Sequence, residues 1–401
     1  MTPARLLLVL VALALVTGLI IQKPKNPQAS LEEVDRLRSA NLALTTRLDF
    51  LEEQLADLKA RLAREGELVP EILVEFVERD LAFTFLTPPV FFRVPEAELY
   101  STVRRNLLTI STDLEAAKED KVWRILGLIG EDESLSGGLL AVALNSPPEV
   151  YDLAENQILI PTSFSLESIP DQAELVRLLA QKAATQLAGL PPADSSPDRW
   201  RAWEAITLGT ALDCQKRYLR RRSAQTEPGR QSPETERDAI LLNLSPAIQN
   251  LANFPNLSGQ ELANQKYLKS RSAFVDFLKN PPTTTFQILF PDAPPPPPAQ
   301  IDLVPDLYQT SLGALGLRTL LDPILGLEKS TELTSAWRSD LATLQETPKG
   351  DLLTWSLTLS SPEEAADLAK TLQDTPSLNP ADRLVTFTTE GPTLTFSSAP
   401  K

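Results

Sequence analysis

The sequence feature that most constrains the fold is an apolar stripe between Glu174 and Gly189. Apolar side chains recur there mostly three or four residues apart, which places them on one face of an α-helix. They are Leu175, Leu178, Leu179, Ala183 and Leu187. Pro170-Asp171 precedes this stretch and Gly189 ends it, and both are ordinary boundary signals for a helix. The sequence therefore predicts a buried helix from Glu174 to Gly189, around which the rest of the chain packs.

The same stretch carries Gln181-Lys182-Ala183-Ala184-Thr185, which has the length of an H-E-x-x-H zinc motif. In that motif two histidines hold zinc and the glutamate is the general base, roles that Gln, Lys and Thr cannot perform. The 401-residue chain contains no histidine, so Ser-His-Asp triads and Cys-His dyads are excluded as well. Its single cysteine, Cys214, excludes an intrachain disulfide and a Cys-rich metal site. No metal ion or cofactor is expected.

The residues around this motif resemble a family of bacterial exported zincin-type HExxH metallopeptidases. The stretch 151–161 (YDLAENQILIP) is similar to the family's YDP…G.LYLP hairpin, and 175–187 (LVRLLAQKAATQL) is similar to its LAHELTHALQ helix. The resemblance covers the chain from about Val74 to the C-terminus. On this basis the chain is identified as a degenerate, inactive member of that family.

The resemblance also implies where the lost site would lie. Gln181, Lys182 and Thr185 stand in place of His, Glu and His. The stretch 205–211 (AITLGTA) is similar to the family's ALVEGDA, and 281–291 (PPTTTFQILFP) is similar to its PPRSTEQILHP. The relic positions are Gln181, Lys182, Thr185, Leu208 (third ligand), Phe286 and Phe290 (in place of Glu and His). The resemblance implies a zincin-like scaffold whose metal site is lost.

An apolar run over residues 6–21 opens the chain, and we assign residues 1–22 to a signal anchor or transmembrane helix. The run is short for a membrane-spanning helix and long for the core of a signal peptide, so a cleaved signal peptide stays open as the alternative. The poor cleavage site at 15–18 favours the anchor. We therefore expect a single-pass protein whose globular part is exported, either periplasmic or extracytoplasmic.

A heptad pattern occupies residues 31–66, where apolar residues from Val34 to Leu62 step by three and four. This a/d spacing predicts a coiled coil. Asn41 stands at an a position, where a buried amide favours a parallel two-stranded register, and Arg47 and Glu52 can pair between the two chains. A parallel homodimer through residues 34–62 is expected. The alternative is a long helix folded back on its own domain.

The remaining chain predicts an α+β fold: a mainly helical zincin-like body (70–290), a polyproline strap (291–300) and a small C-terminal α+β module (301–401). The net charge of −15 argues against a nucleic-acid partner. The basic end of the second central helix, from Lys216 to Arg222, fits either a site for an acidic partner or a solvated helix end. Further elements are predicted at 90–94 (strand), 120–130 (helix), 151–161 (hairpin), 198–222 (helix), 352–359 (strand), 361 onward (helix) and 383–397 (hairpin).

Three functions fit the sequence. The first is a membrane-tethered pseudoenzyme that binds a protein or peptide partner, or serves as a scaffold in the cell envelope. In that case Lys182 either points to solvent or pairs with Glu204, because an unpaired buried ammonium is costly. The second is a structural coiled-coil envelope protein with no function in the cleft. The third, less favoured, is a hydrolase with a non-metal site, such as Glu204 or Asp213 acting with Lys182.

Overall fold

The computed structural model describes residues 66–110, 112–146, 149–222, 234–297, 307–375, 378 and 380–401. The predicted anchor and coiled coil, including Asn41, Arg47 and Glu52, lie outside the described residues. So does most of the segment between Ser223 and Glu236. Within the described ranges, no helix is both long enough and apolar enough to cross a membrane.

The described chain is α+β, as predicted, with two separate sheets and helices between them. The strands are β1 (Glu67–Leu68), β2 (Val90–Val94), β3 (Val150–Asp152), β4 (Gln157–Pro161), β5 (Tyr308–Thr310), β6 (Trp337–Thr347), β7 (Gly350–Leu359), β8 (Arg383–Glu390) and β9 (Thr393–Pro400). The helices of the first part are α1 (Glu71–Leu81), α2 (Glu96–Ile110), α3 (Asp113–Ile125), α4 (Leu135–Leu144), α5 (Ile169–Ala188), α6 (Pro197–Arg222) and α7 (Glu234–Leu241). Those that follow are α8 (Pro246–Asn253), α9 (Gln260–Lys269), α10 (Arg271–Lys279), α11 (Thr285–Leu289), α12 (Gly313–Leu325), α13 (Leu327–Ser335) and α14 (Pro362–Gln373), with a π-helical turn at Pro255–Gly259.

The first sheet has the strand order β1-β2-β4-β3. Strands β2 and β4 are parallel, whereas β3 and β4 form the antiparallel hairpin that the sequence predicts. The predicted strand at Val90–Val94 is confirmed. The predicted helix over 120–130 is only partly right, because α3 runs from Asp113 to Ile125 and begins at a capping box formed by Thr112 and Glu115.

The central helix α5 is confirmed, but it begins at Ile169 and not at Glu174. Ser168 caps it by accepting a hydrogen bond from the Asp171 backbone N–H at 3.4 Å. Pro170 is tolerated because the first turn of a helix has no intrahelical use for the missing N–H. The apolar stripe is buried except at the half-buried Leu187, and α6, which also matches its prediction, packs along it.

The second sheet is antiparallel, with the order β5-β6-β7-β9-β8. The predicted strand at 352–359, the helix capped by Ser361 and the terminal hairpin are all confirmed. Strand β6 is not among the predicted elements. A buried Asp340 interrupts its alternation of apolar residues, so the period-two signal is weak there.

Residues Gly66–Lys401 form one compact unit. A continuous core runs through it and takes side chains from the first sheet, the central helices and the second sheet. The largest fully buried side chains include Phe91, Trp123, Phe274, Phe286 and Trp355. Each buried aromatic contributes about 1.5–3 kcal/mol relative to its exposed state, so this shared core holds the two sheets to the same helical layer.

Candidate functional site

The β3–β4 hairpin is held rigid next to α5. Its turn is closed by Asp152, whose Oδ1 accepts hydrogen bonds from the backbone N–H groups of Ala154 (3.1 Å) and Glu155 (3.3 Å). Asp152 is almost fully buried and also forms an ion pair with Arg105 of α2. Asn156 follows with a left-handed φ of 52°, a conformation that asparagine tolerates better than most residues. The turn thereby presents Asn156 to the central helix.

Lys182 of α5 reaches this turn. Its Nζ donates to the backbone oxygen of Asn156 at 2.5 Å and to Asn156 Oδ1 at 2.9 Å, and it lies 6.0 Å from the centre of the Tyr151 ring. The Tyr151 hydroxyl donates to the same Oδ1 at 2.9 Å. Burial lowers the pKa of the Lys182 ammonium group, because the charged form loses hydration. We call Tyr151, Asn156, Lys182 and Thr185 the hairpin–helix cluster.

Thr185 completes the hairpin–helix cluster beside Tyr151. Burial raises the pKa of the Tyr151 hydroxyl to about 12, and the nearby Thr185 hydroxyl opposes part of that rise. Thr185 Oγ1 is itself buried and has no partner that satisfies hydrogen-bond geometry. Gln181, one residue before Lys182, is half-buried. Three of the six relic positions therefore lie on one stretch of α5, two of them in contact with the hairpin.

Glu204 does not pair with Lys182. Among the described residues no ion pair joins the two, and Lys182 is bonded to Asn156 instead. The neutral amide and carbonyl of Asn156 replace the carboxylate that the sequence suggests as a partner. Glu204 is partly exposed at the surface of α6, and the cost of desolvating its carboxylate raises its pKa. The hypothesis of a Lys182–Glu204 pair is therefore wrong.

Of the remaining predicted site positions, Phe286 is buried in the core, whereas Leu208 and Phe290 are half-buried. Leu208 is half-buried on α6, next to Gly209, where the π-helical turn approaches so closely that a Cβ would lie 2.4 Å from the carbonyl carbon of Gly259. Phe286 is fully buried and stacks on Phe290 (5.1 Å between ring centroids) and Trp337 (5.7 Å). Phe286 thus joins α11 to strand β6 of the second sheet.

Two buried carboxylates that the sequence does not reveal lie where α6, α11, α12 and β6 meet. Asp198 accepts a hydrogen bond from Thr285 Oγ1 at 2.5 Å, and Asp340 accepts from Ser311 Oγ (2.7 Å) and from Trp355 Nε1 (2.9 Å). Burial, with a smaller contribution from the neighbouring Asp340, raises the pKa of Asp198 to about 7. In the sequence Asp198 is only an acidic residue at a helix start, so no local signal marks its burial.

The basic end of α6 is largely committed to internal contacts. Arg217 donates to Asp80, with Nη2 2.6 Å from Oδ2, pairs with Asp213, and lies 3.8 Å from the centre of the Tyr267 ring. Arg221 lies over the ring of Phe76 at 5.0 Å. These contacts fit the interpretation in which the cationic side chains cover apolar surface. Asp213 is thus engaged by Arg217, and among the described residues it forms no ion pair with Lys182.

An open groove lies beyond the C-terminal end of α5. It has a volume of about 370 Å³ and is bounded by the α5–α6 loop, the first turns of α6 and the segment that joins α10 to α11. Trp203 lines the groove and donates from Nε1 to the Gly189 carbonyl oxygen at 2.6 Å. The charged residues that line it are Arg199 and Lys279. We call this site the Trp203 groove.

Within the described ranges, no three side chains of the His, Cys, Asp and Glu types lie close enough together to hold a metal ion. Comparisons with known proteins add no relative: no family model matches the chain, and neither the curated proteins nor the solved structures contain a match. The geometry therefore carries the functional argument. It offers a hairpin–helix cluster whose polar groups bond mainly to one another, and an open groove at the C-terminal end of α5.

Proposed function

We propose that this chain is a non-catalytic, membrane-tethered pseudo-metallopeptidase that acts as a binding or scaffold protein of the cell envelope. The observation that carries the proposal is the bond between Lys182 and Asn156 at the place where the zincin family would hold its general base. A general base needs a free lone pair near its substrate. A protonated ammonium that donates to two oxygens has none, so this side chain fixes the hairpin to the helix.

Two further observations support a binding role over the hydrolase alternative. The acids suggested as partners of Lys182 are engaged elsewhere or apart from it: Asp213 pairs with Arg217, and Glu204 makes no ion pair with Lys182 among the described residues. The Trp203 groove is also open to solvent next to the central helix. A concave surface lined by apolar and aromatic side chains with a few polar groups is typical of a ligand site.

The structural alternative, an envelope protein with no function in the cleft, is favoured by one observation. Phe286 is buried in the core and its ring packs against both Phe290 and Trp337, which is a packing role. The two candidates differ in whether the surface near α5 binds a ligand. Membrane anchoring through residues 1–22 and dimerisation through residues 34–62 belong to both.

The zincin-like scaffold is tested by restoring its motif. The variant Gln181→His, Lys182→Glu, Thr185→His and Leu208→Glu places the four zincin groups on α5 and α6. If these positions have zincin geometry, the purified full chain carrying all four changes should bind one zinc ion per chain, measured by elemental analysis after dialysis. The unchanged chain should bind none and should not cleave casein with zinc present.

The control is Lys182→Glu alone, which changes the charge without adding imidazole ligands and should not retain zinc. Far-ultraviolet circular dichroism and a thermal melt establish that the fourfold variant is folded. A folded fourfold variant without zinc would refute the zincin-like placement. Stoichiometric zinc or zinc-dependent proteolysis in the unchanged chain would refute the non-catalytic proposal.

A further inference from the structure

The charge of the Trp203 groove is opposite to that of the whole chain. The protein has 53 acidic and 38 basic residues, yet the charged side chains that line the groove are both cations, Arg199 and Lys279. Neither side chain donates a hydrogen bond or forms an ion pair with any residue that the structure describes. Two cations without partners at one concave site provide charge complementarity for an anionic ligand.

The position of Arg199 strengthens this argument. It lies in the first turn of α6, near the positive end of the helix dipole, where a cation interacts unfavourably with the helix. The acidic residue of the same turn, Asp198, does not offset this charge at the groove, because it is turned inward and bonded to Thr285. An anion in the groove would interact favourably with both the Arg199 guanidinium and the helix end.

The residues that line the groove suit a peptide. Three of them are prolines (Pro191, Pro281 and Pro282), and proline restricts the backbone there before any ligand arrives. Trp203 is held in place by its bond to the Gly189 carbonyl and by an edge contact with Trp200, with 5.7 Å between ring centroids. Leu190, 49% exposed, adds an apolar contact at the wall. Apolar walls with a few placed charges are the usual composition of a ligand site.

We propose that the Trp203 groove binds an acidic peptide segment of a partner protein, with Arg199 and Lys279 contacting its carboxylates and Trp203 its backbone and aliphatic carbons. This inference rests on the proposed binding function and deepens it by naming the class of ligand. A peptide is favoured over a phosphate group because the residues that line the groove include Leu190, Trp203 and three prolines as well as the two cations.

The test is isothermal titration calorimetry of the full chain with a terminally blocked tetraglutamate peptide, at about 50 mM and about 500 mM salt. We expect binding at low salt that weakens at high salt. The double variant Arg199→Gln and Lys279→Gln should weaken binding about tenfold, from two partly exposed charge pairs. The matched control is Arg104→Gln with Lys349→Gln, which makes the same change in net charge at exposed positions outside the groove and should bind as the unchanged chain does.

Three results would overturn the inference: no binding of tetraglutamate, equal binding by the double variant and the unchanged chain, or inorganic phosphate that competes with tetraglutamate at equal affinity. The last result would assign the groove to a phosphate group. These outcomes are distinguishable from failure of the proposed function, which depends on zinc content and proteolysis. A chain with no zinc and no proteolysis that also fails to bind tetraglutamate refutes only the acidic-peptide assignment.

Discussion

The burial of Asp198 predicts that the contribution of this carboxyl to the stability of the protein falls as the pH rises from about 4 to about 7. Desolvation is the main reason that the pKa of this carboxyl is raised from 3.8 to about 7 in the folded protein, where the carboxyl accepts a hydrogen bond from Thr285. Between the two values the folded protein holds a proton that the unfolded chain has released. The contribution of Asp198 to the free energy of unfolding is therefore greatest below pH 4, and it is lost as the pH rises through the folded pKa.

The magnitude follows from the difference between the two pKa values. Each pKa unit corresponds to about 1.36 kcal/mol, so Asp198 alone accounts for a loss of at most about 4 kcal/mol between pH 4 and pH 8. The variant Asp198→Asn keeps an oxygen for the Thr285 hydroxyl and cannot ionise. Any change in the free energy of unfolding that the substitution causes independently of pH cancels when the same variant is compared at two pH values.

The assay is urea unfolding, followed by circular dichroism, at pH 5 and pH 8. Asp198→Asn should lose less stability over this interval than the unchanged chain, and the difference between them is the contribution of Asp198. The control Asp367→Asn removes an exposed carboxyl of α14 and should follow the unchanged chain. Glu149, whose pKa burial raises to about 7, contributes equally to all three proteins. Parallel pH profiles for Asp198→Asn and the unchanged chain would refute the reasoning.

Two further predictions concern packing and stability. Arg217→Met should lower the free energy of unfolding by about 3–5 kcal/mol, because Asp80 would be left as a buried charge without its partner. The control Arg221→Met should lower it clearly less in thermal unfolding. Equal losses for the two variants would contradict the buried-pair argument. Gly209→Ala should cost about 1–3 kcal/mol, since its Cβ would lie 2.4 Å from the backbone of the π-helical turn. Gly137→Ala, whose Cβ would meet only the side chain of Ser134, should be near neutral in the same melt, and the reasoning fails if the two glycine variants melt together.

Much of the second sheet and the central helix can be predicted from local pattern. The stripe from Leu175 to Leu187, the turn at Asn156 and the cap at Ser361 are all short-range signals, and each one marks an element that the structure contains. Strand β6 is not predicted from local pattern, because Asp340 occupies a buried position in it. A polar residue at an inward position removes the alternation by which a strand is recognised.

Some features of the candidate site are visible in the sequence, and others appear only in the structure. The absence of histidine and the residues Gln181, Lys182 and Thr185 are read directly from the sequence, and they exclude a His-based zinc site whatever the fold. The partner of Lys182 could not be predicted from the sequence, because Asn156 is 26 residues away and the hairpin brings it to Lys182. The Trp203 groove also could not be predicted from the sequence, since Arg199 and Lys279 belong to helices that meet only after folding.

The sequence by itself determined the central helix, several of the strands and the absence of histidine, since these depend on residue identity and short-range spacing. Tertiary structure alone decided which polar groups are buried, which of them pair, and where an open surface remains. Asp198, Asp340 and Arg217 look like ordinary surface charges until helices distant in the chain close over them. Burial depends on contacts between residues far apart in sequence, and the energetic cost of a charge depends on that burial.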